Sequence, residues 1–348
     1  MSFTYSFPCV KGTQARSSYY ICMIPCGLLS KLFPINDTNI LPEFRAQRKL
    51  NEKRIPEIRD YILNHRSSYV FSALTASIDG EFHFLELSEN VGTLSIDMNA
   101  IFLINDGQHR NAAIQEAIKE DPTLGKETIP VVFFEDKGLQ RSQQMFTDLN
   151  KYAVKPSKSQ NTFYDNNDPL AKLTKHIVSS VEFFRDFTDL ESDSLGKYSA
   201  KIFTLNSFYT SNKNILRNGE INEEFSSFCL NYWKMLAENI EEWQELMDKN
   251  ITKKSLREEY IITQNIVLYA FGKLGNFFYT NPDFSLKQYL PGLKKINWMR
   301  TNPEWENIAM VDGKISMKKN NITLTYLKIK EKLNIPLTEK EQQQLETR

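Results

Sequence analysis

The chain has 348 residues, 41% of them hydrophobic and 12% aromatic, enough for about two domains and too apolar to stay unfolded. Lysine plus arginine and aspartate plus glutamate each number 43, so the formal net charge is zero; a polycationic nucleic-acid coat is excluded, whereas a locally basic face is not. Glycine and proline, at 13 each, exclude a fibrous or linker-like chain.

In chain order, the first 165 residues alternate short β patterns with short helices. Residues 4–10 and 19–24 read as strands around a polar turn. Helices are expected over 43–50 and 54–63, with Pro56 in the first turn of the second, where its missing N–H is harmless. Strands at 69–78 and 81–87 flank Asp79-Gly80, a dipeptide suited to the two positive φ angles of a type I′ hairpin turn. Residues 93–98 and 101–104 are another pair of strands, and 129–134 (Ile-Pro-Val-Val-Phe-Phe) reads as a buried one. Helices are expected over 109–119 and 139–149.

Beyond Asn161 long helical patterns dominate, at 169–184, 222–246 and 256–278. In the second, Phe225, Phe228, Cys229, Tyr232, Leu236, Ile240, Trp243 and Leu246 recur at steps of three and four, the stripe of a core-facing helix. Residues 222–248 hold seven acids against one base, Lys234, a poor surface for DNA. The expected fold is α+β: a mixed-sheet domain at 1–165, a helical domain at 166–290 and a tail region at 291–348.

The N-terminus, Met1-Ser2-Phe3-Thr4-Tyr5, lacks the cationic start of a signal peptide. The most apolar stretch, 261–272, is interrupted by Thr263, Gln264 and Asn265 and is shorter than the ~18 residues of a membrane span. A cytoplasmic protein without membrane contact is the expectation. Cys22 and Cys26 lie four apart with no second pair and no histidine cluster behind them, so zinc is not expected, and no metal-ligating residue is assigned; with Cys9 and Cys229 they read as reduced thiols. A P-loop, a His-Glu-x-x-His zinc motif and a Gly-x-Ser-x-Gly elbow are all missing from the sequence.

One segment carries chemistry. Ile101-Phe-Leu-Ile-Asn105 runs through Asp106 and Gly107 into Gln108-His109-Arg110 and an alanine-rich helix. Free amides and the positive end of the helix dipole gather at such a junction, a receptor for anions. Gly107 lets the backbone approach closely, Arg110 offers a fork for phosphate and His109 a second donor. Asp106 can cap the helix or receive a metal or a ribose hydroxyl. Asn150, Lys155, Ser157 and Lys158 are candidates to close the same pocket. Three stretches are basic: 137–160 with a net of +4, 43–66 with +3 and 314–332 with +5. Arg54, Lys155, Lys158, Lys318 and Lys319 are the expected DNA phosphate contacts.

Asp106-Gly107-Gln108-His109-Arg110 is identified as the motif of the DGQHR-domain family, which resembles ParB and sulfiredoxin. Upstream, Arg54-Ile-Pro-Glu-Ile-Arg-Asp-Tyr-Ile62 and Tyr69-Val-Phe-Ser-Ala-Leu-Thr75 are similar to the stretch that precedes the motif there; downstream, Met145-Phe-Thr-Asp-Leu-Asn150 and Val154-Lys-Pro-Ser157 resemble its second box. Ile296-Asn-Trp298, Asn302-Pro-Glu-Trp305 and Leu333-Asn-Ile-Pro-Leu-Thr338 resemble the tail of the DndB family, associated with DNA sulfur modification. The resemblance implies a ParB/sulfiredoxin-like mixed-sheet N-terminal domain and a mainly α-helical C-terminal one. It also implies a DNA-binding transcriptional repressor of a bacterial phosphorothioation gene cluster, acting on double-stranded promoter DNA as a nucleoid-associated homo-oligomer, with other sulfur-modification proteins as further partners. The nucleotide pocket implied at the motif would take ATP or CTP with Mg²⁺. Sulfiredoxin carries a catalytic cysteine before its His-Arg; Gln108 stands here, so sulfinic-acid reduction is not implied. The alternatives are an NTP hydrolase or DNA-nicking enzyme of the same fold, and an interaction subunit that makes no DNA contact. No residue is assigned a catalytic role.

Overall fold

The computed structural model describes residues 3–35, 50–136, 138–151 and 155–347, which fall into two compact units, 1–154 and 155–348. The helix expected at 43–50 lies, but for Leu50, outside the described residues.

The first unit opens with an antiparallel hairpin, β1 (Thr4–Gln14) and β2 (Ser17–Pro25). Its turn residues Ala15 and Arg16 both take positive φ, 49° and 63°, with no glycine to announce it. Then follow α1 (Leu29–Leu32), α2 (Arg54–Asn64), β3 (Leu74–Asp79), β4 (Phe82–Ser88), β5 (Val91–Asp97) and β6 (Ile101–Asp106). After them come α3 (Gln108–Glu120), β7 (Thr128–Glu135) and α4 (Leu139–Lys151). The strands form one seven-stranded sheet in the order β4-β5-β1-β2-β7-β3-β6. It is mixed because β3 and β7 are parallel and the other pairings antiparallel.

The Asp79-Gly80 hairpin is not formed. β3 pairs with β6 and β7, and β4 pairs with β5. Of the two turn residues only Gly80 has a positive φ, so the dipeptide makes a corner rather than a type I′ turn. Because β3 is sixth and β4 first in the sheet order, the sheet coils to let one feed the other. The coil brings Phe82 edge-on to Tyr20 of β2 at 5.8 Å, and Tyr5 of β1 edge-on to Phe102 of β6 at 6.4 Å. The strand expected at 69–78 begins only at Leu74. Before it, Phe71 packs on Tyr61 of α2 and on Tyr69, which holds the segment out of the sheet.

Strand alternation builds the core of this unit: Leu94 and Ile96 of β5 and Ile129, Val131 and Phe133 of β7 point inward. β3 is buried from Leu74 to Ile78, as a strand covered on both faces must be.

The second unit is helical. It runs α5 (Lys158–Tyr164), α6 (Pro169–Ser180), α7 (Glu182–Phe187), β8 (Thr188–Asp189), β9 (Phe203–Thr204), α8 (Leu205–Leu216), α9 (Glu223–Asn239) and α10 (Glu241–Met247). Then come α11 (Lys253–Glu259), α12 (Asn265–Thr280), α13 (Leu286–Tyr289), β10 (Met310–Val311), β11 (Lys314–Ile315), α14 (Lys319–Lys332) and α15 (Glu339–Glu346). Each of the three long helices expected is broken in two. Val181 and Ile240 adopt extended backbone between α6 and α7 and between α9 and α10. Residues 260–264 leave the helix where Tyr260 bridges to Met299. The breaks serve packing: Ile240 and Trp243 are both fully buried, and Trp243 stacks on Phe183 at 5.0 Å. The apolar stripe of 225–246 is core, with only Phe228 partly exposed. The architecture is α+β.

Candidate functional site

The motif lies where β6 ends and α3 begins. Gly107 is the helix N-cap at φ 98°, in the left-handed region that only glycine enters without strain. A Cβ there would also run into Leu74 Cδ2. Gly107 therefore takes the capping position expected of Asp106 and brings no side-chain oxygen to the helix start.

The carboxylate of Asp106 turns instead to Arg110, whose Nη2 donates to Oδ2 at 2.6 Å. Arg110 Nη1 donates to the carbonyl oxygens of Ser72 at 2.6 Å and Ala73 at 3.0 Å, and to Ser72 Oγ. The guanidinium, 17% exposed, thus clamps the β6–α3 junction to the chain entering β3. His109 is buried, and its Nε2 accepts the backbone N–H of Asn51 at 3.0 Å. An accepting Nε2 makes the ring neutral with its proton on Nδ1, so that nitrogen is not the anion donor expected. Gln108 is half-buried in the first turn. One turn on, Asn111 Nδ2 and Gln115 Nε2 both donate to Phe33 O, fixing α3 against the end of α1.

Behind the motif, Asn105 is 1% exposed. Its amide donates to Ser77 Oγ at 2.7 Å and to Met145 Sδ of α4 at 3.2 Å, while its Oδ1 is buried without a hydrogen-bond partner among the described residues. A magnesium ion would find Asp106 alone as a carboxylate within the motif, already engaged by Arg110. Among the described residues no group of three or more His, Cys, Asp or Glu is gathered to hold a metal.

The other expected site residues are placed as follows. Asn150, on α4, turns its amide back to Phe146 O at 2.8 Å. Ser157 belongs to the second unit, where it caps α5 in a capping box with Gln160 and donates to Glu191 O. Lys158 and Ser159 give their backbone N–H groups to the Asp193 carboxylate at 2.9 Å each. Burial raises the pKa of Asp193, but these amide bonds outweigh it and the net shift is downward. The start of α5 thus already holds an anion from its own chain. The side chains of Arg54, Lys155 and Lys158 are exposed. Tyr152, Val154 and Lys137 lie outside the described residues.

The basic run at 314–332 does not survive folding as a patch. Lys328 pairs with Glu331 and Glu304, Lys332 with Glu304, and Lys330, 2% exposed, with Glu341. Lys318 and Lys319 stay exposed at the start of α14. Lys273 lies near both Arg217 and Lys319; its pKa is lowered by burial first and then by those two cations.

Sequence reasoning found the loop but missed its partners. The accepting carbonyls of Ser72 and Ala73 and the donating amide of Asn51 are backbone groups, which leave no signature in residue type. No helix among the described residues is long and apolar enough to cross a membrane.

A family model described as DndB, DNA-sulfur modification-associated, matches residues 7–336. That is nearly the whole chain, and the protein belongs to this family. No curated protein and no solved structure matches it, so the likeness to ParB and sulfiredoxin rests on the motif.

Proposed function

We propose that this DndB-family chain is a DNA-binding transcriptional regulator of a bacterial DNA-sulfur-modification gene cluster, and that it does not itself insert sulfur. The observation that carries the reading is the family match over residues 7–336.

The cysteines support its second half. Sulfur is relayed between proteins on accessible thiolates. Cys9, Cys22, Cys26 and Cys229 are all buried and free. Burial is the leading cause that raises each thiol, Cys26 to about 11 and Cys22 and Cys229 higher still. None is suited to carry a persulfide. The exposed Lys318 and Lys319 support the first half as phosphate contacts.

The phosphate site at Asp106, Gly107, Gln108, His109 and Arg110 takes a specific form in this reading. An entering phosphate displaces the Asp106 carboxylate from Arg110 and meets the amides at the start of α3. Nucleotide occupancy would then release the clamp on Ser72 and Ala73 and so change DNA affinity.

Transcript levels of the sulfur-modification genes, compared with and without the protein in the host, test the regulator. Derepression on loss, restored by the wild-type gene, is expected. Unchanged transcripts together with loss of DNA sulfur would instead assign the chain to the modification machinery.

A further inference from the structure

The second unit carries a cleft of about 740 Å³ that neither the motif nor the basic runs foretell. Its size is that of a ligand pocket able to enclose a nucleotide. Lys197, Lys249, Lys253, Lys254 and Arg257 line it against a single carboxylate, Asp186. Its floor is apolar, built from Leu246, Met247 and Ile251.

Three observations bear on these cations, and the first sets them apart from those of α14. Among the described residues, none of the four lysines has an ion-pair partner, whereas Lys328, Lys330 and Lys332 are each matched by a glutamate. Unpaired like charges around one concavity repel each other, and a bound anion relieves that repulsion. Next, aromatic rings lie beneath the charges. Lys253 Nζ sits 5.3 Å from the Phe187 ring centre and Lys197 Nζ 5.9 Å from that of Tyr198. Tyr198 is 91% exposed, a ring face open to stacking. Finally, the wall is braced from within. Arg257 donates to the carbonyl oxygens of Leu195 at 3.3 Å and Gly196 at 3.0 Å, fixing the loop that carries Lys197 and Tyr198. On the other side Lys201 Nζ donates to Asp186 O at 2.7 Å.

We infer that this cleft binds a nucleotide, its phosphate held by Lys197, Lys253 and Lys254 and its base laid on Tyr198 and the apolar floor. Arg257 is a positioning residue that shapes the wall. The same chemistry is offered by a free nucleotide and by a nucleotide within a DNA strand. For the strand, the assignment rests on the DNA-binding reading above; for the free nucleotide, it stands without it.

The test uses the full chain as wild type, Lys253→Glu with Lys254→Glu, and Tyr198→Ala, each checked for folding by circular dichroism. The probes are a labelled oligo-dT single strand, a promoter duplex, ATP, CTP and inorganic phosphate. Charge reversal is expected to weaken nucleotide or strand binding by at least ~10-fold and to flatten its salt dependence. Tyr198→Ala is expected to weaken base-bearing probes by about 10-fold while sparing inorganic phosphate. Lysine-dependent binding of ATP or CTP with no DNA bound keeps the cleft and removes the DNA reading. Duplex binding that both variants leave unchanged, with no nucleotide bound, overturns the cleft and keeps the DNA reading. Absence of binding to every probe overturns both.

Discussion

The guanidinium of Arg110 faces one carboxylate and two backbone carbonyls, and its replacement tests what the motif is for. From sequence alone, Arg110→Ala is expected to abolish binding and spare the fold. In the structure it strands Asp106 and the Ser72–Ala73 carbonyls, which costs about 2 to 3 kcal/mol, so thermal unfolding should show a destabilised protein. Asp106→Asn separates the two roles. It removes the charge that competes with an incoming anion while keeping the shape of the side chain. Phosphate or ATP titrated by calorimetry should bind several-fold more tightly to this variant if the junction is an anion receptor. Weaker or unchanged binding would reduce the motif to a structural clamp.

Glu242 makes a second residue-level prediction. It lies at the start of α10, where burial first, and then Glu241 and Glu245, push its pKa up to about 7. The unfolded chain titrates the same group near the ordinary glutamate value of about 4.3. Between these values the folded state binds the proton more tightly, so this group's contribution to stability is fully present below the window and is lost as pH rises through about 7. Allowing for its partial exposure, the charged form costs roughly 2 kcal/mol. Glu242→Gln should raise the melting temperature above pH 7 and flatten the pH profile in that window. An unchanged profile would contradict the assignment.

At the scale of elements, α8 and α12 depend on a close approach. A Cβ at Gly272 would lie 2.5 Å from Ser211 O and 2.9 Å from Asn214 Cβ. Buried polar ties hold the same pair together: Ser211 Oγ donates to Leu268 O at 2.9 Å and Asn276 Nδ2 to Ile215 O at 2.7 Å. Gly272→Ala forces these helices apart and is expected to cost about 2 to 4 kcal/mol, read as a lower urea midpoint. A midpoint equal to that of the wild type would mean that the helices separate without loss.

Elements whose evidence is local were legible in the sequence. β1, β2, β7, α2, α3 and α4 all appear where alternation or helical periodicity puts them, within a few residues. The misreadings came where distant partners decide. Asp79-Gly80 encodes a bend, but the strand beside β4 is chosen by β5, far from β3 in the sheet order. The helix breaks at Val181 and Ile240 fall on apolar β-branched residues, not on glycine or proline, because the aromatic core and not the local chain demands them. The lysines of α14 read as a patch because Glu304 and Glu341, which neutralise them, come from outside that run. The cleft lysines escaped notice for the converse reason: residues 249–259 hold four bases and two acids, and only the fold turns the bases toward one concavity. Of the motif, the position, the positive-φ glycine and the strand-to-helix handover were legible; the internal use of Arg110 was not.

At the scale of the whole molecule, a net charge of zero gives no general attraction to DNA. On the regulator reading, affinity comes from local cations: Lys318 and Lys319 at the start of α14 and the lysines of the cleft, both in the second unit, with the exposed Arg54, Lys155 and Lys158. Phosphate contacts of this kind release counterions, so binding should weaken steeply with salt. A regulator also has to prefer its operator over other sequences.

The most direct measurement is fluorescence anisotropy of the full-length protein on a labelled duplex from the promoter of its own gene cluster, against a scrambled duplex, from about 50 to about 200 mM salt. The regulator reading predicts submicromolar binding to the promoter at low salt, at least ~10-fold preference over the scrambled duplex, and a linear fall of log affinity with log salt. Equal affinity for the two duplexes, or no binding at micromolar protein in the lowest salt, would contradict it.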